Sequence, residues 1–294
     1  MFGVDRLRAL AAVAQHGSIA RAARMLHVTP SGVSQQLAKL EREAGHPLLE
    51  PDGRTVRLTH AGRLLADHAA RVLTQVAAAE ADLADLHREV VGPLRIGAVG
   101  SAIRELLPEA LAELAHTHPR LSPTVRDGEG VHLVPELRQD RLDLLVIESW
   151  SNRPMFLPEG LSQRSLLSEE VRVALSERHP LADWEEVTLP ELADNRWTSC
   201  APGTEPYEAL VQALRSCGIE PEVPYTLAEY PSQLALVTAG LAAALVPAMA
   251  QRPAPPGVRF VRLRPELRRE VRAVWRTDAT SPPVRACIET LGVR

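Results

Sequence analysis

A run of polar side chains between residues 31 and 39 has the types and spacing to hydrogen-bond nucleic-acid bases. Thr29 and Pro30 predict the start of a helix, because the threonine hydroxyl can cap it and proline suits its first turn. The outward-facing positions of that helix hold Ser31, Ser34, Gln35, Gln36 and Lys39. Serine and glutamine suit base edges in a major groove, and Lys39, the only lysine of the chain, suits a phosphate. The pattern predicts a surface that contacts double-stranded DNA.

The neighbouring segments predict the elements that would position this helix. Two shorter helices precede it, separated by Gly17-Ser18, with apolar faces formed by Leu7, Leu10 and Val13 and by Ile19, Ala22, Ala23 and Leu26. The buried side of the third helix would be Val33, Leu37 and Leu40. The segment RTVRLT at 54–59 then predicts a small β-wing that presents Arg54 to the DNA backbone or minor groove. The order is that of a winged helix-turn-helix.

The charge distribution agrees with this interpretation. The whole chain has a formal net charge of −4, but residues 1–63 hold nine Arg and Lys against five Asp and Glu. The positive charge is therefore concentrated where phosphate contacts are needed.

A long helix is predicted to follow, over 61–91. Apolar residues recur at alternating steps of four and three, which is the heptad pattern of a two-stranded coiled coil. The residues predicted to form the dimer seam are Leu65, Val72, Val76, Leu83 and Leu86. The alternative is an amphipathic helix packed on its own domain. Gly92-Pro93 ends the helix.

From residue 92 onward, strand and helix patterns alternate, which predicts an α/β domain with two lobes. Lobe I is placed at about 94–161 and 267–294, and lobe II at about 162–266. Ser101, Thr204 and Ser232 follow predicted strands and are expected to cap the next helices. Hydroxyls beside free backbone N–H groups favour anions, so a small carboxylate or another polar metabolite is the expected effector in the cleft.

The segment from residue 12 to residue 62 resembles the signature of LysR-type transcriptional regulators, and reads AVAQHGSIARAARMLHVTPSGVSQQLAKLEREAGHPLLEPDGRTVRLTHAG. The resemblance implies a winged helix-turn-helix over 1–60, a linker helix over 61–91 and a periplasmic-binding-protein-like effector domain over 92–294. It further implies transcriptional regulation by a homodimer or homotetramer without enzymatic activity. The effector residues it implies are Ser101, Cys200, Ala201, Thr204, Glu229 and Tyr230. The chain differs from the family at residues 30–32 and 49–51.

Other classes of function have less support in the sequence. The start MFGVDRLRAL has no signal-peptide pattern, no stretch is apolar enough to span a membrane, and the three cysteines are scattered, so a cytoplasmic protein is expected. No catalytic, metal or cofactor motif is present. Two alternatives remain, a small-molecule binding protein whose N-terminal segment only mediates assembly and an α/β enzyme that uses the cleft. A redox pair of Cys200 and Cys217, as in the family's peroxide sensors, is a minor alternative.

Overall fold

The computed structural model describes residues 2–52, 55–85 and 90–292, with the backbone alone at residue 78 and residues 80–85. The chain forms two compact units, Met1–His87 and Arg88–Arg294. The long helix predicted as a separate linker belongs to the first unit, because its early residues Ala66 and Ala69 are buried in the core of that unit. None of the described helices is both long and apolar enough to cross a membrane.

The N-terminal unit has four helices and a two-stranded wing. Its elements are α1 (Val4–His16), α2 (Ile19–Met25), α3 (Pro30–Ala44), β1 (Leu49–Asp52), β2 (Thr55–Leu58) and α4 (His60–Asp85). The wing strands are antiparallel, with Glu50 opposite Arg57.

The helix ends in this unit follow the local sequence signals. Gly17 ends α1 in the left-handed conformation, with φ of 63°, which glycine adopts without steric cost. Thr29 caps α3 by accepting a hydrogen bond from the Gly32 N–H at 3.1 Å. The predicted inner face of α3 is buried, and it packs with Leu10 and Leu48 into one apolar core. These contacts fix α3 with its polar face outward.

The C-terminal unit alternates strands and helices. Its strands are β3 (Gly92–Ala98), β4 (Leu121–Asp127), β5 (Leu144–Trp150), β6 (Leu161–Ser176), β7 (Glu186–Val187), β8 (Arg196–Ser199), β9 (Glu222–Thr226), β10 (Ala244–Pro247) and β11 (Val258–Arg276). Its helices are α5 (Gly100–Glu105), α6 (Leu107–Thr117), α7 (Gly130–Arg138), α8 (Glu205–Ser216), α9 (Tyr230–Thr238) and α10 (Pro282–Leu291), with 3₁₀ turns at Leu189–Leu192 and Ala248–Gln251.

Two long strands connect the two halves of this unit. The main sheet has the order β10-β6-β11-β5-β3-β4, and β7 pairs with β11. Strand β3 is parallel to β4 and β5, whereas β11 is antiparallel to both β5 and β6. The segments FVRLR at 260–264 and REVRAVWR at 269–276 each predict a separate strand. Strand β11 instead runs through both, because its pairing with β6 only shifts register between Arg262 and Leu267 and then resumes.

Separate apolar cores lie at the two ends of these strands. One contains Leu94, Leu114 and Ile288, and another contains Trp197 and Leu214. This arrangement is the two-lobed α/β domain expected from the sequence. All four tryptophans of the chain (Trp150, Trp184, Trp197 and Trp275) belong to this unit.

Candidate DNA-reading surface and effector cleft

The outward face of α3 carries most of the residues predicted to contact DNA. Ser31, Ser34, Gln35 and Lys39 are exposed. The Ser34 hydroxyl donates to the Pro30 carbonyl at 3.0 Å, so its oxygen keeps lone pairs for a donor from outside. The short polar side chains and one cation at consecutive turns form a surface suited to base edges and phosphate.

Gln36 and the wing differ from the other predicted DNA contacts. Gln36 is half-buried and lines a cavity of about 270 Å³ between α1 and α3. Arg54 lies outside the described residues, and Arg57 is paired across the wing with Glu50 at 3.0 Å. The wing is held to α3 because Glu41 Oε1 accepts the Leu48 N–H at 2.8 Å and the Leu49 N–H at 3.1 Å.

The predicted dimer seam on α4 divides into two parts. Leu65 packs against the core of its own unit, as the alternative interpretation of this helix expects. Farther along, Val72 is 43% exposed and Val76 is half-buried. The side chain of Leu83 and the whole of Leu86 lie outside the described residues. Val72 therefore exposes an apolar surface that the core of the N-terminal unit does not cover.

A buried arginine connects the elements around the cleft of the C-terminal unit. Arg269, on β11, is fully buried. Its Nη1 donates to Glu148 Oε2 on β5 at 2.7 Å, and its Nε donates to Glu169 Oε1 on β6 at 2.7 Å. The same Nη1 donates to the Ser101 hydroxyl at 2.8 Å. A charge in this position is tolerated because both carboxylates neutralise it.

This network corrects the predicted role of Ser101. Helix α5 begins at Gly100 with Val99 as its cap residue, so Ser101 is the second helical residue and does not cap it. Its hydroxyl instead accepts from Arg269, and the side chain is buried. Ser232 is also no cap, because α9 begins at Tyr230.

The other predicted effector residues fall into two groups. Thr204 occupies the cap position of α8, but its hydroxyl donates to the Ala201 carbonyl at 2.7 Å. The Cys200 thiol is buried and accepts from Gln233 Nε2 at 3.6 Å. The buried residues of this set are Cys200, Thr204 and Tyr230, whereas Ala201 and Glu229 are exposed.

Two carboxylates at helix starts face each other beside this network. Glu129 is the cap residue of α7, and Glu205 is the first residue of α8. They are close, since a Cβ on Gly130 would lie 3.1 Å from Glu205 Oε1. Among the described residues, Oε2 of each is buried without a hydrogen-bond partner, and so is the Tyr230 hydroxyl. Buried polar atoms without partners are rare and mark a place where a further group can bind.

Burial and negative neighbours change the acidity of these groups. Burial, followed by Glu148, Glu205 and Asp127, raises the pKa of Glu129 to about 8. Burial is also the main reason that the pKa of Glu205 is raised to about 6. Near pH 7 Glu129 therefore holds a proton in most molecules.

The same surroundings raise the pKa of both the Cys200 thiol and the Arg269 guanidinium, which keeps the thiol neutral and the guanidinium charged. Burial and the charge of Glu129 raise the pKa of the Cys200 thiol well above its usual range. Burial disfavours the charged form of Arg269, but Glu148 and Tyr230 outweigh it and raise the pKa of the guanidinium. A protonated thiol is a poor nucleophile, which argues against a redox pair of Cys200 and Cys217. The two thiols also differ in environment, since Cys200 is buried and Cys217 is exposed.

Comparison with known proteins identifies the family of both units of the chain. Residues 4–63 match the bacterial regulatory helix-turn-helix family of lysR type, and residues 87–293 match the LysR substrate-binding domain. The chain belongs to the LysR family. It is a DNA-binding transcriptional regulator with an effector-binding domain, and LysR-family regulators are not enzymes.

Relatives and solved structures of LysR type align with nearly the whole chain. The DNA-binding transcriptional dual regulator OxyR of Escherichia coli is 28% identical, over 97% of this chain and 92% of its own length. The regulator AlsR of Bacillus subtilis is 29% identical, over 82% of this chain and 79% of its own. A full-length OxyR variant from Pseudomonas aeruginosa has the same fold, with a TM-score of 0.73, 23% identity and coverage of 99% and 97%. CbnR in complex with its target DNA has a TM-score of 0.69 at 23% identity, with 98% coverage of both chains.

The sequence interpretation of this LysR-type regulator missed five charged residues and one amide at the centre of its cleft: Glu129, Glu148, Glu169, Glu205, Arg269 and Gln233. A signal for two of them was present. Arg269 alternates with the buried Val271 and Ala273, and Glu148 alternates with Leu144 and Val146, so each occupies a core-facing position of a strand. A charged residue in such a position is almost always paired.

The raised pKa of Glu129 leads to an expected pH dependence. A carboxyl whose pKa is about 8 when folded and near 4.5 when unfolded contributes stability below about pH 4.5, which is lost as pH rises through about 8. Glu129→Gln removes this titration, so the free energy of unfolding of the variant should fall less than that of wild type between about pH 5 and pH 8. Unfolding followed by tryptophan fluorescence measures it. Glu177→Gln, an exposed glutamate of the same unit, is the control. An equal fall in the free energy of unfolding for wild type and Glu129→Gln would contradict the raised pKa of Glu129.

Proposed function

We propose that this LysR-type regulator reads its operator through the outer face of α3 and responds to an effector bound around Ser101, Arg269, Cys200 and Tyr230. The observation that carries the proposal is the group of buried polar atoms without partners beside the Arg269 network. Those atoms lie between elements of both lobes, where a ligand would change how the lobes pack. A bound effector would satisfy them and stabilise one arrangement of the domain.

The regulator is proposed to act in the cytoplasm, where its DNA target is located.

The test of its function is selection of bound genomic fragments by the full-length protein. We expect enrichment of a few fragments that share two half-sites with a spacing of whole helical turns. No enrichment over random fragments would contradict operator recognition.

Gln35 is proposed to read a base. Gln35→Ala should lose about 1–3 kcal/mol of discrimination between operator and random DNA, because a glutamine can bond two atoms of one base edge. Lys39→Ala is the matched comparison on the same face, and it should weaken both complexes equally and reduce the salt slope by about one. Fluorescence anisotropy at several salt concentrations measures both. Equal weakening by Gln35→Ala on the two DNAs would exclude base reading.

The second half of α4 is proposed to hold two copies together as a homodimer, which in turn assembles into a homotetramer. Val72, Val76, Leu83 and Leu86 remain the predicted contacts, whereas Leu65 lies in the first half of the helix and packs against the core of its own unit. Val76→Glu should break the dimer, because two carboxylates would meet in an apolar seam. Sedimentation velocity measures the mass. Val76→Leu is the control, and a Val76→Glu protein that sediments like wild type would show that the seam lies elsewhere.

A further inference from the structure

The cleft carries more negative charge than its own cations neutralise. Arg269 is committed to Glu148 and Glu169. Arg153 lowers the pKa of Glu205, and its Nη1 lies 3.6 Å from Glu208. The carboxylates that act on Glu129 come from three separate elements, namely Asp127 on β4, Glu148 on β5 and Glu205 on α8. No comparable set of cations faces them among the described residues.

Two of the helix starts in this cleft, those of α7 and α8, are already occupied by a carboxylate of the protein. The N–H groups of Glu205 and Val131 donate to the Glu205 side chain. These N–H groups belong to the first turns of α8 and α7, where an external anion would otherwise bind. An effector carboxylate would therefore meet filled donors and further negative charge. The starts of α7 and α8 are therefore unsuited to an anion.

A second feature independently indicates a ligand that donates hydrogen bonds. Tyr230 is 6% exposed, and its hydroxyl has no partner among the described residues. The charges of Glu148, Arg269, Cys200 and Glu129 all act on the pKa of Tyr230, so its hydroxyl lies near these groups. A phenol oxygen can accept a hydrogen bond, and so can the unpartnered oxygen of Glu205 and, once its proton has left, that of Glu129. The group that complements three acceptors in a negative field is a cation with several N–H bonds.

We propose that the effector carries a protonated amine or a guanidinium, which binds between Glu129 and Glu205 and donates to the Tyr230 hydroxyl. This inference rests on the proposed function, since it names the chemical class of the effector for the same cleft. Glu205 also lines a cavity of about 1030 Å³ with Gly130, Met155 and two arginines, Arg138 and Arg153, which adjoins the proposed site and has room for an uncharged or acidic remainder of the molecule.

Proton release should accompany binding of such a cation. The cation favours the charged form of Glu129, which otherwise holds a proton near pH 7. The affinity for a cation should therefore rise with pH up to about 8, whereas affinity for an anion would fall. The groups facing Glu129 that set this balance are Asp127, Glu148, Cys200, Glu205 and Arg269.

The experiment measures the melting temperature of the full-length protein by tryptophan fluorescence with three probes: 1,4-diaminobutane, methylguanidine and succinate. We expect at least one of the two cationic probes to raise the melting temperature more at about pH 8 than at about pH 6, and succinate to have no effect. Glu129→Gln and Glu205→Gln should each weaken the response to that probe about tenfold or more. Glu177→Gln, which removes a charge from an exposed site, should respond like wild type.

Three results would overturn the inference: stabilisation by succinate alone, a cation response that survives in both glutamine variants, or no response to any probe. Operator binding is measured in parallel on the selected genomic fragments. Failure of the cation inference leaves operator binding intact, whereas failure of the proposed function removes operator binding whichever probe stabilises the protein.

Discussion

Replacing Arg269 by methionine is expected to destabilise the C-terminal unit by about 3–5 kcal/mol, because removing one partner of a buried ion pair leaves charge without compensation. Here two carboxylates are affected, since Arg269 pairs with both Glu148 and Glu169. The Ser101 hydroxyl would also lose its donor. Because all four tryptophans lie in this unit, urea unfolding followed by tryptophan fluorescence measures its stability alone.

The neighbouring arginine provides the control for this variant. Arg268 precedes Arg269 on the same strand, but its side chain is exposed and its bonds are to Ser168 and Glu266. Arg268→Met should change stability by less than about 1 kcal/mol. Adding Glu148→Gln and Glu169→Gln to Arg269→Met should recover part of the loss, because the buried negative charge is removed. Equal losses for the two arginine variants would show that the buried network does not stabilise the fold.

Gly62→Ala is expected to destabilise the N-terminal unit by about 3 kcal/mol, at the upper end of what an added methyl costs in a packed site. A Cβ at this position would lie 2.0 Å from the Leu48 backbone oxygen. The backbone there is held from two sides, since the Thr59 N–H donates to the same oxygen at 3.0 Å and Glu41 accepts the Leu48 N–H. Either α4 or the segment before the wing must therefore move.

Two spectroscopic signals separate the effect of Gly62→Ala from a general loss of stability. The helices of the N-terminal unit contribute to far-ultraviolet circular dichroism, while tryptophan fluorescence reports the other unit. We expect an early transition in the first signal and an unchanged transition in the second. Ala70→Ser, which adds one atom on the exposed face of the same helix, should resemble wild type. An unshifted circular dichroism transition in Gly62→Ala would show that the Leu48 backbone moves aside freely.

Elements set by short-range patterns were predictable from the sequence. The Thr29 cap, the Gly17 helix end and the inner face of α3 depend on residues within one or two turns, so spacing alone reveals them. The alternation of strands and helices after residue 92 is equally local. Helix starts were less predictable, because the cap residues of α5 and α9 are Val99 and Glu229, two and three positions before Ser101 and Ser232. Both serines are therefore interior residues of their helices.

The centre of the cleft could not be derived in the same way. Ser101 and Arg269 are separated by 168 positions and meet only because β11 crosses the sheet beside β5. Their pairing depends on the topology, which no local pattern contains. The charge of the cleft was also hidden, since the carboxylates around Glu129 come from segments far apart in the chain. For this reason the expected preference for an anion arose from single residues, and the opposite preference from their combination.

Lys39 has a practical consequence for chemical labelling. It is the only lysine of the chain, and it is exposed on the outer face of α3. Arginine, which supplies the other basic side chains, does not react with amine-directed reagents because its guanidinium stays protonated. Among the side chains, acylation therefore addresses a single atom, and it lies within the proposed DNA-reading surface. A reporter dye or a crosslinker attached there would sit at the protein–DNA boundary without the introduction of a cysteine.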